Sequence, residues 1–421
     1  MRAPLPPLTA ANHAALDAFL SDLLKGHAEE AIAFRRQLHM HPELSQREHQ
    51  TTTAIATRLE VAHLPVRIPP SQLGVLCDVA DDAAGPRIAL RADIDALPLP
   101  DHKSVTYASR VPGVTHACGH DAHTTIVLGA GIALEALRRA AETDPDLPAV
   151  GPVRLLFQPS EEKAPGGARD LIAEGALDEV DAILGLHCDP TLTVGQIGLR
   201  VGAVTSAVDL VQVTLRGPGG HTARPHLTVD LLEAAGRTLV ELPALVAQRL
   251  PSAEGHARLV FGMIDGGHAP NVIPTETTMV GTFRTLHRDI WDAAPAVIEK
   301  ALAEVLADYP VEAEIAQDHG APPVVNDPVV TAIVTRAVVA ALGEQAVTEA
   351  EPSQGGEDFS FYLDHIPGTY ARLGVTSPEA ESPGPALHTS QFDIDERALA
   401  VGIRFLVYAV VQAQRDLGSR S

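Results

Sequence analysis

The rhythm of the chain changes near residue 200, and that break limits the folds open to it. Before it, β-rich runs alternate with helical ones. "GVLCDVA", "RIALRAD", "VRLLFQPS" and "AILGLHCD" read as strands, and "TTIVLGAGIALEALRRAA" between the second and third is helical by length and alanine content. The first fifty residues also read as helix, with apolar residues at three- and four-residue steps in "ALDAFLSDLLKGHAEEAIAFRRQLH", and a second helix covers "QREHQTTTAIATRLE". This alternation predicts an α/β layer architecture: a mixed, largely parallel sheet with helices on both faces. From Ser206 to about Asp318 the order becomes strand, helix, strand, strand, helix, strand. That βαββαβ order is the order of a ferredoxin-like α+β unit, which can fold as an independent small domain. Two further helices follow, "DPVVTAIVTRAVVAAL" and "DIDERALAVGIRFLVYAVVQAQ". The expected division is a catalytic domain over 1–202 and 319–421, interrupted by a satellite domain over 203–318. A chain of 421 residues has material for two cores.

Charge narrows the partners. A formal net charge of -23 disfavours nucleic acid and anionic membrane surfaces, which need clustered Lys and Arg. The start, "MRAPLPPLTAANHAAL", has an arginine but no apolar run of signal-peptide length, and no stretch of eighteen or more uncharged apolar residues follows. A cytoplasmic protein is expected. The three cysteines, Cys77, Cys118 and Cys188, are too few and too odd in number for a disulfide framework, which fits a reducing compartment where a thiolate can serve as a metal ligand. Cys77 in "LGVLCDVA" alternates like a buried strand residue. The proline-rich tracts near residues 3 to 7 and 376 to 387 read as a tail and a loop.

The polar donors fall just after predicted strands, at the edge where open α/β sheets place their sites. "RADIDALP" carries Asp93 and Asp95, "HACGHDAH" precedes a helix, "FQPSEEKAPGG" brings Glu161 and Glu162, "GLHCD" ends on His187, and "ALHTSQFDIDE" holds His388. Adjacent glutamates also suit a solvated turn, and a histidine such as His388 is an ordinary loop residue by itself. Their chemistry still points one way. Metal-assisted hydrolysis needs one carboxylate on the ion and a second beside it to take a proton from water and return it to the leaving amine. One thiolate, several imidazoles and a carboxylate suit Zn, Mn, Co or Ni rather than Mg or Ca.

Taken together, these segments resemble the metallopeptidase-like amidohydrolases that include hippurate hydrolases, bacterial N-acyl-amino-acid amidohydrolases and plant auxin-conjugate hydrolases. The resemblance runs in order through "RRQLHMHPELS" (Arg35 to Ser45), "LRADIDALP", "HACGHDAH", "LFQPSEE", "GLH", "GGHTARPH", "APNVIP", "GTFRT", "GGEDFSFY" and "ALHTSQFDIDE", nearly the whole chain. It implies Cys118, His120, Glu162, His187 and His388 as ligands to two divalent metal ions per subunit, with the cysteine as the preferred bridge, and Glu161 as general base. Asp93 fits an acid that orients the site or a structural turn. His123 and Asp121 read as helix-start residues, and His116, Cys188, His39 and His41 need no more than packing. In the satellite, His221 follows a glycine-rich turn and is placed by the resemblance to stabilise an oxyanion, while Asn271 and Arg284 resemble residues that hold a substrate carboxylate. The sequence departs from the family pattern at Ser160, where alanine is frequent, and at Thr389 and Ser390, where serine and proline are common.

The resemblance implies hydrolysis of the amide of a small-molecule N-acyl amino acid to a carboxylic acid and a free amino acid, in a homodimer or higher oligomer paired through the satellite. A dipeptidase or carboxypeptidase on the same scaffold is the alternative, sharing the catalytic residues and differing in the acyl pocket.

Overall fold

The computed structural model describes residues 5–164, 166–251 and 257–419; the start of the proline tract near residue 3 lies outside them. It contains two compact units, the first made of Met1–Gly202, Val325–Glu351 and Phe361–Ser421, the second of Ala203–Val324 and Pro352–Ser360.

The first unit is built on an eight-stranded sheet in the order Val66–Arg67, Val75–Val79, Val153–Gln158, Ile88–Asp93, Ala182–Thr193, Gly368–Thr376, Ile197–Leu199, Val347–Glu349. Its middle is parallel, from Val153–Gln158 through Gly368–Thr376. Its flanks are mixed: Val75–Val79 pairs antiparallel with both neighbours, and Ile197–Leu199 runs antiparallel to Gly368–Thr376. Every residue of Ile88–Asp93, Val153–Gln158 and Gly368–Thr376 is buried, so both faces of the sheet centre are covered. The helices Ala10–Met40, His120–Ala141, Pro328–Leu342 and Arg397–Gly418 pack in a continuous layer against one another and supply much of the core.

Gly368–Thr376 corrects the sequence reading, which placed only helices after residue 326. Its letters, "GTYARLGVT", carry two glycines and no alternation, because a strand buried on both faces has no polar side to show.

The second unit has a four-stranded antiparallel sheet ordered Arg258–Asp265, Glu276–Thr285, Ala207–Arg216, Glu312–Ala321. The helices Leu231–Arg249 and Arg288–Val305 complete a βαββαβ chain order and cover one apolar face. The inner strand Glu276–Thr285 alternates buried and less buried residues, as a sheet with one covered face requires. This unit reaches Val324 instead of ending at 318, because Glu312–Ala321 stays paired with Ala207–Arg216 as far as Ala321. It also recruits the return segment Pro352–Ser360. Among the described residues no helix is long and apolar enough to cross a membrane.

Candidate metal centre

Four segments of the first unit bring their donors together where the parallel strands end. Cys118 precedes the helix His120–Ala141, and Gly119 between them is left-handed at φ 88°. A Cβ there would lie 2.9 Å from Cys188 Sγ, so only glycine lets the chain turn into the helix so close to the neighbouring strand. Glu161 and Glu162 follow Val153–Gln158, and His187 lies within Ala182–Thr193. His388 belongs to the late loop, itself at φ 60°, and its N–H donates to the Ala117 carbonyl at 2.8 Å.

Cys118 stands at the middle of this cluster. Its Sγ is 3.3 Å from Nε2 of His187 and 3.3 Å from Nε2 of His388. His388 Nε2 is in turn 3.3 Å from Glu162 Oε1. His120 Nε2 lies 3.8 Å from Glu162 Oε1 and 4.0 Å from Glu161 Oε2. Two donor groups share the cysteine, Cys118–His120–His187 and Cys118–Glu162–His388, each with its ligand atoms within 4.8 Å of one another.

The surrounding hydrogen bonds leave the right atoms bare. Nδ1 of His120 donates to the Asp95 carbonyl at 2.9 Å, and Nδ1 of His187 donates to the Cys188 carbonyl at 2.7 Å. Both rings therefore turn Nε2 toward the cluster. Nε2 of His120 and Oε1 of Glu162 are buried without a hydrogen-bond partner among the described residues. The electrostatics agree. Burial, then the Glu162, Glu161 and Asp93 carboxylates, push the Cys118 thiol far up, so a thiolate there needs a cation beside it. Burial opposes charge on His120 as well, yet Asp93, Asp95 and Glu162 outweigh it and raise the ring to about 10. A buried, electron-rich cluster with orphaned donor atoms fits divalent ions.

His123 and Asp121, read as helix-start residues, and His39, read as packing, join hydrogen-bond networks around the cluster. His123 donates from Nδ1 to Asp93 Oδ1 at 2.7 Å and accepts the Cys188 N–H on Nε2 at 2.8 Å, bracing the helix start against two strand ends. Asp93 also receives Arg91 Nη1 at 2.6 Å, and despite burial, His120, His123 and Arg91 hold it well below the usual carboxylate range. Asp121, next to His120, accepts from Arg35 Nε and from His39 Nδ1, each at 2.7 Å, and all three side chains are buried. Sequence reading missed these bonds; the signal was the density of acids and imidazoles in apolar surroundings. His116 is a packed ring, pushed down to about 3 by burial. Cys77 is buried in its strand, as expected, and burial pushes it up to about 12.

His221, Asn271 and Arg284 lie in the second unit. His221 is exposed on the short strand Gly220–His221, paired with Val272–Ile273 just beyond Asn271. Its Nδ1 accepts the Ala223 N–H at 3.0 Å, so the proton sits on Nε2. Arg284 lies near the far end of Glu276–Thr285 and donates to the Gln354 carbonyl. Along that strand, Arg284 is roughly 26 Å from the corner that carries His221 and Asn271. Within one chain His221 and Asn271 share a corner, and Arg284 lies away from it.

A model of peptidase family M20/M25/M40 matches residues 89–412. The N-acetyl-L-cysteine deacetylase of Bacillus subtilis (strain 168) is 38% identical over 378 residues, spanning 90% of this chain and 86% of that protein. A Rhodococcus jostii (strain RHA1) protein named as glutamate–cysteine ligase 2-3 is 42% identical over 379 residues; the match takes in 90% of this chain but 46% of that protein, so the chain spans about half its length. Among solved structures, the YxeP protein of Bacillus subtilis, described as a dinuclear metal-binding peptidase from the M20 family, is 33% identical with a TM-score of 0.78, covering 93% of this chain and 99% of that one. With the family model spanning most of the sequence and the donor cluster seated where its segments meet, the chain belongs to peptidase family M20/M25/M40.

Proposed function

We propose that this amidohydrolase cleaves the amide bond of N-acyl amino acids, releasing a carboxylic acid and a free amino acid. The observation that carries the reading is the pair of donor groups sharing Cys118, with Glu161 at their edge. Cys118, His120, Glu162, His187 and His388 would hold two divalent ions, with Cys118 between them. Ions held there would polarise a carbonyl and acidify a water. Glu161, whose Oε2 lies 4.0 Å from His120 Nε2, would take a proton from the attacking water and return it to the departing nitrogen. The relative that acts on N-acetyl-L-cysteine supports an N-acyl amino acid as substrate.

The remaining roles in this proposal fall to residues of the second unit. His221 offers an Nε2–H to the oxygen that gains charge, and Arg284 and Asn271 receive the carboxylate of the amino-acid half. Because Arg284 lies near one end of Glu276–Thr285 and His221 sits by Val272, beyond its other end, the reading takes them from different subunits of a homodimer. The ferredoxin-like unit is the pairing domain in this proposal. Its edge strand Arg258–Asp265 exposes Val260, Met263 and Ile264, the apolar side chains such a pairing would cover. Hydrolysis of N-acetyl-amino acids, hippurate and dipeptides, each assayed after metal reconstitution, tests the reading. Preference for dipeptides would move the chain to the peptidase side of its family, and no cleavage of any would sink the proposal.

A further inference from the structure

The turn that carries both adjacent glutamates is held in a conformation it would not choose alone. Ser160 sits at φ 57°, in the left-handed region that residues with a side chain rarely adopt. Pro159 before it is wedged between glycines. A Cβ at Gly74 would lie 2.8 Å from Pro159 Cδ, and one at Gly167 would lie 2.0 Å from the Pro159 carbonyl oxygen. The Gly167 N–H closes the turn on the Ser160 carbonyl at 3.0 Å. The other backbone group of Ser160, its N–H, donates to Oε1 of Glu48 at 2.8 Å.

Glu48 is fully buried and comes from a distant part of the chain. It occupies the N-cap position of the helix His49–Val61, yet its carboxyl group makes no capping bond to that helix. An acid at a helix start interacts favourably with the orphan N–H groups there. This one is turned to Ser160 instead, and its second oxygen, Oε2, is buried without a hydrogen-bond partner. Burial, with the Asp95 carboxylate adding to it, pushes Glu48 up to about 7. Retaining a buried acid at this place is costly unless the bond it makes to Ser160 matters. Glu162, at the other side of the turn, is anchored separately, with its N–H on Asp95 Oδ2 at 3.0 Å. The Glu48 bond falls on the Ser160 side of the turn.

We propose that Glu48 is a positioning residue: by accepting the Ser160 N–H it holds the left-handed turn that directs Glu161 toward the substrate. The proposal rests on the reading of Glu161 as the proton carrier. Removal of the acceptor lets Ser160 relax out of the left-handed region and carries Glu161 with it, while Glu162 keeps its own anchor.

Five variants, Glu48→Ala, Glu48→Met, Glu48→Gln, Ser160→Gly and the double variant Glu48→Ala/Ser160→Gly, test this. Steady-state kinetics, metal content and thermal midpoint are measured for each. Glu48→Ala should lower kcat by about tenfold to a hundredfold, as a small misplacement of a catalytic group does, with KM and metal content unchanged. Glu48→Gln keeps an acceptor oxygen and should keep most of the activity. In the double variant, glycine adopts the left-handed conformation without help, so at least half of the lost kcat should return. Glu48→Met, which fills the same volume, is measured beside Glu48→Ala so that a folding defect in one leaves the other to decide. Wild-type kcat in either, Glu48→Gln as impaired as Glu48→Ala, or no rescue by Ser160→Gly would overturn the proposal. Glu161→Gln serves as the control. If it retains wild-type kcat the assignment of Glu161 falls, whereas an inactive Glu161→Gln beside normal Glu48 variants refutes the role of Glu48 alone.

Discussion

Nε2 of His187 lies 3.3 Å from Sγ of Cys118, and Nε2 of His388 approaches the same sulfur from the other donor group at the same distance. A sulfur between two imidazoles that belong to different groups can serve two ions at once. Elemental analysis should then find two ions per chain under saturating metal. His187→Ala and His388→Ala should each retain about one, and Cys118→Ala fewer than either. Chelation should abolish hydrolysis, with Mn, Co, Zn and Ni restoring it to different degrees. Metal content in Cys118→Ala equal to that in His187→Ala would show that the sulfur is not shared.

The adjacent glutamates should separate in their defects. Glu162→Gln removes a donor whose Oε1 has no other hydrogen bond, so metal loss should precede loss of turnover. Glu161→Gln should keep its metals and lose several orders of magnitude in kcat. Parallel measurement of metal content and single-turnover rate distinguishes the two. Equal metal loss in both variants would refute the division of roles.

Burial raises Glu48 from its ordinary value to about 7, so the folded protein holds that proton more tightly than the unfolded chain does. The associated stability is fully present below the unfolded pKa of about 4.3 and is lost as pH rises through about 7. Glu48→Gln carries no proton to lose. Its thermal midpoint should therefore gain on that of the wild type as pH goes from about 5 to about 8, by an amount worth up to roughly 3 kcal/mol. A difference that stays constant over this range would show that Glu48 ionises like an exposed carboxylate.

The Arg35–Asp121–His39 group should matter for stability before it matters for chemistry. Burial works against the Asp121 charge, but Arg35 and His39 hold it well below its usual range. Arg35→Met would leave that charge buried and short of its partner, a change that typically costs about 3–5 kcal/mol. The sign for Asp121 is opposite to that for Glu48. Its contribution is present above about pH 4 and is lost as pH falls toward the depressed value. Chemical denaturation of wild type and Asp121→Asn should show a gap that is widest at about pH 5, where Asp121 and His39 are both charged. It should narrow in stronger acid as Asp121 gains a proton, and toward alkaline pH as His39, opposed by burial but raised by Asp121, loses its own. A gap that widens in stronger acid would contradict the assignment.

What could be read from the sequence was local. Cys118, His120, Glu161, Glu162 and His187 stand beside runs whose periodicity identifies strands and a helix, so the segments and the edge they share were visible. Bonds between segments left no such trace. His123 and Asp93 lie 30 residues apart and Glu48 and Ser160 lie 112 apart, and neither spacing has a period that marks it. The strand Gly368–Thr376 was invisible for a related reason: burial on both faces erased the alternation that would have revealed it.

Arg284 and His221 yield the last prediction, because the strand that separates them is too long for both to touch one small substrate from the same chain. If both act on it, they come from different subunits. Arg284→Ala should then mainly raise KM for substrates with a free carboxylate and matter little for the corresponding amides. Subunit mixing tests the sharing directly. His221→Ala and Glu161→Ala, each nearly inactive alone, are dissociated, mixed and reassociated. Random pairing makes half of the dimers mixed, and each mixed dimer has one site with an intact Glu161 facing a partner's intact His221. Activity should return to about a quarter of wild type. If His221 serves its own chain, every site in every dimer lacks one of the two residues. No recovery, with subunit exchange demonstrated by label transfer, would return His221 to a role within its own subunit.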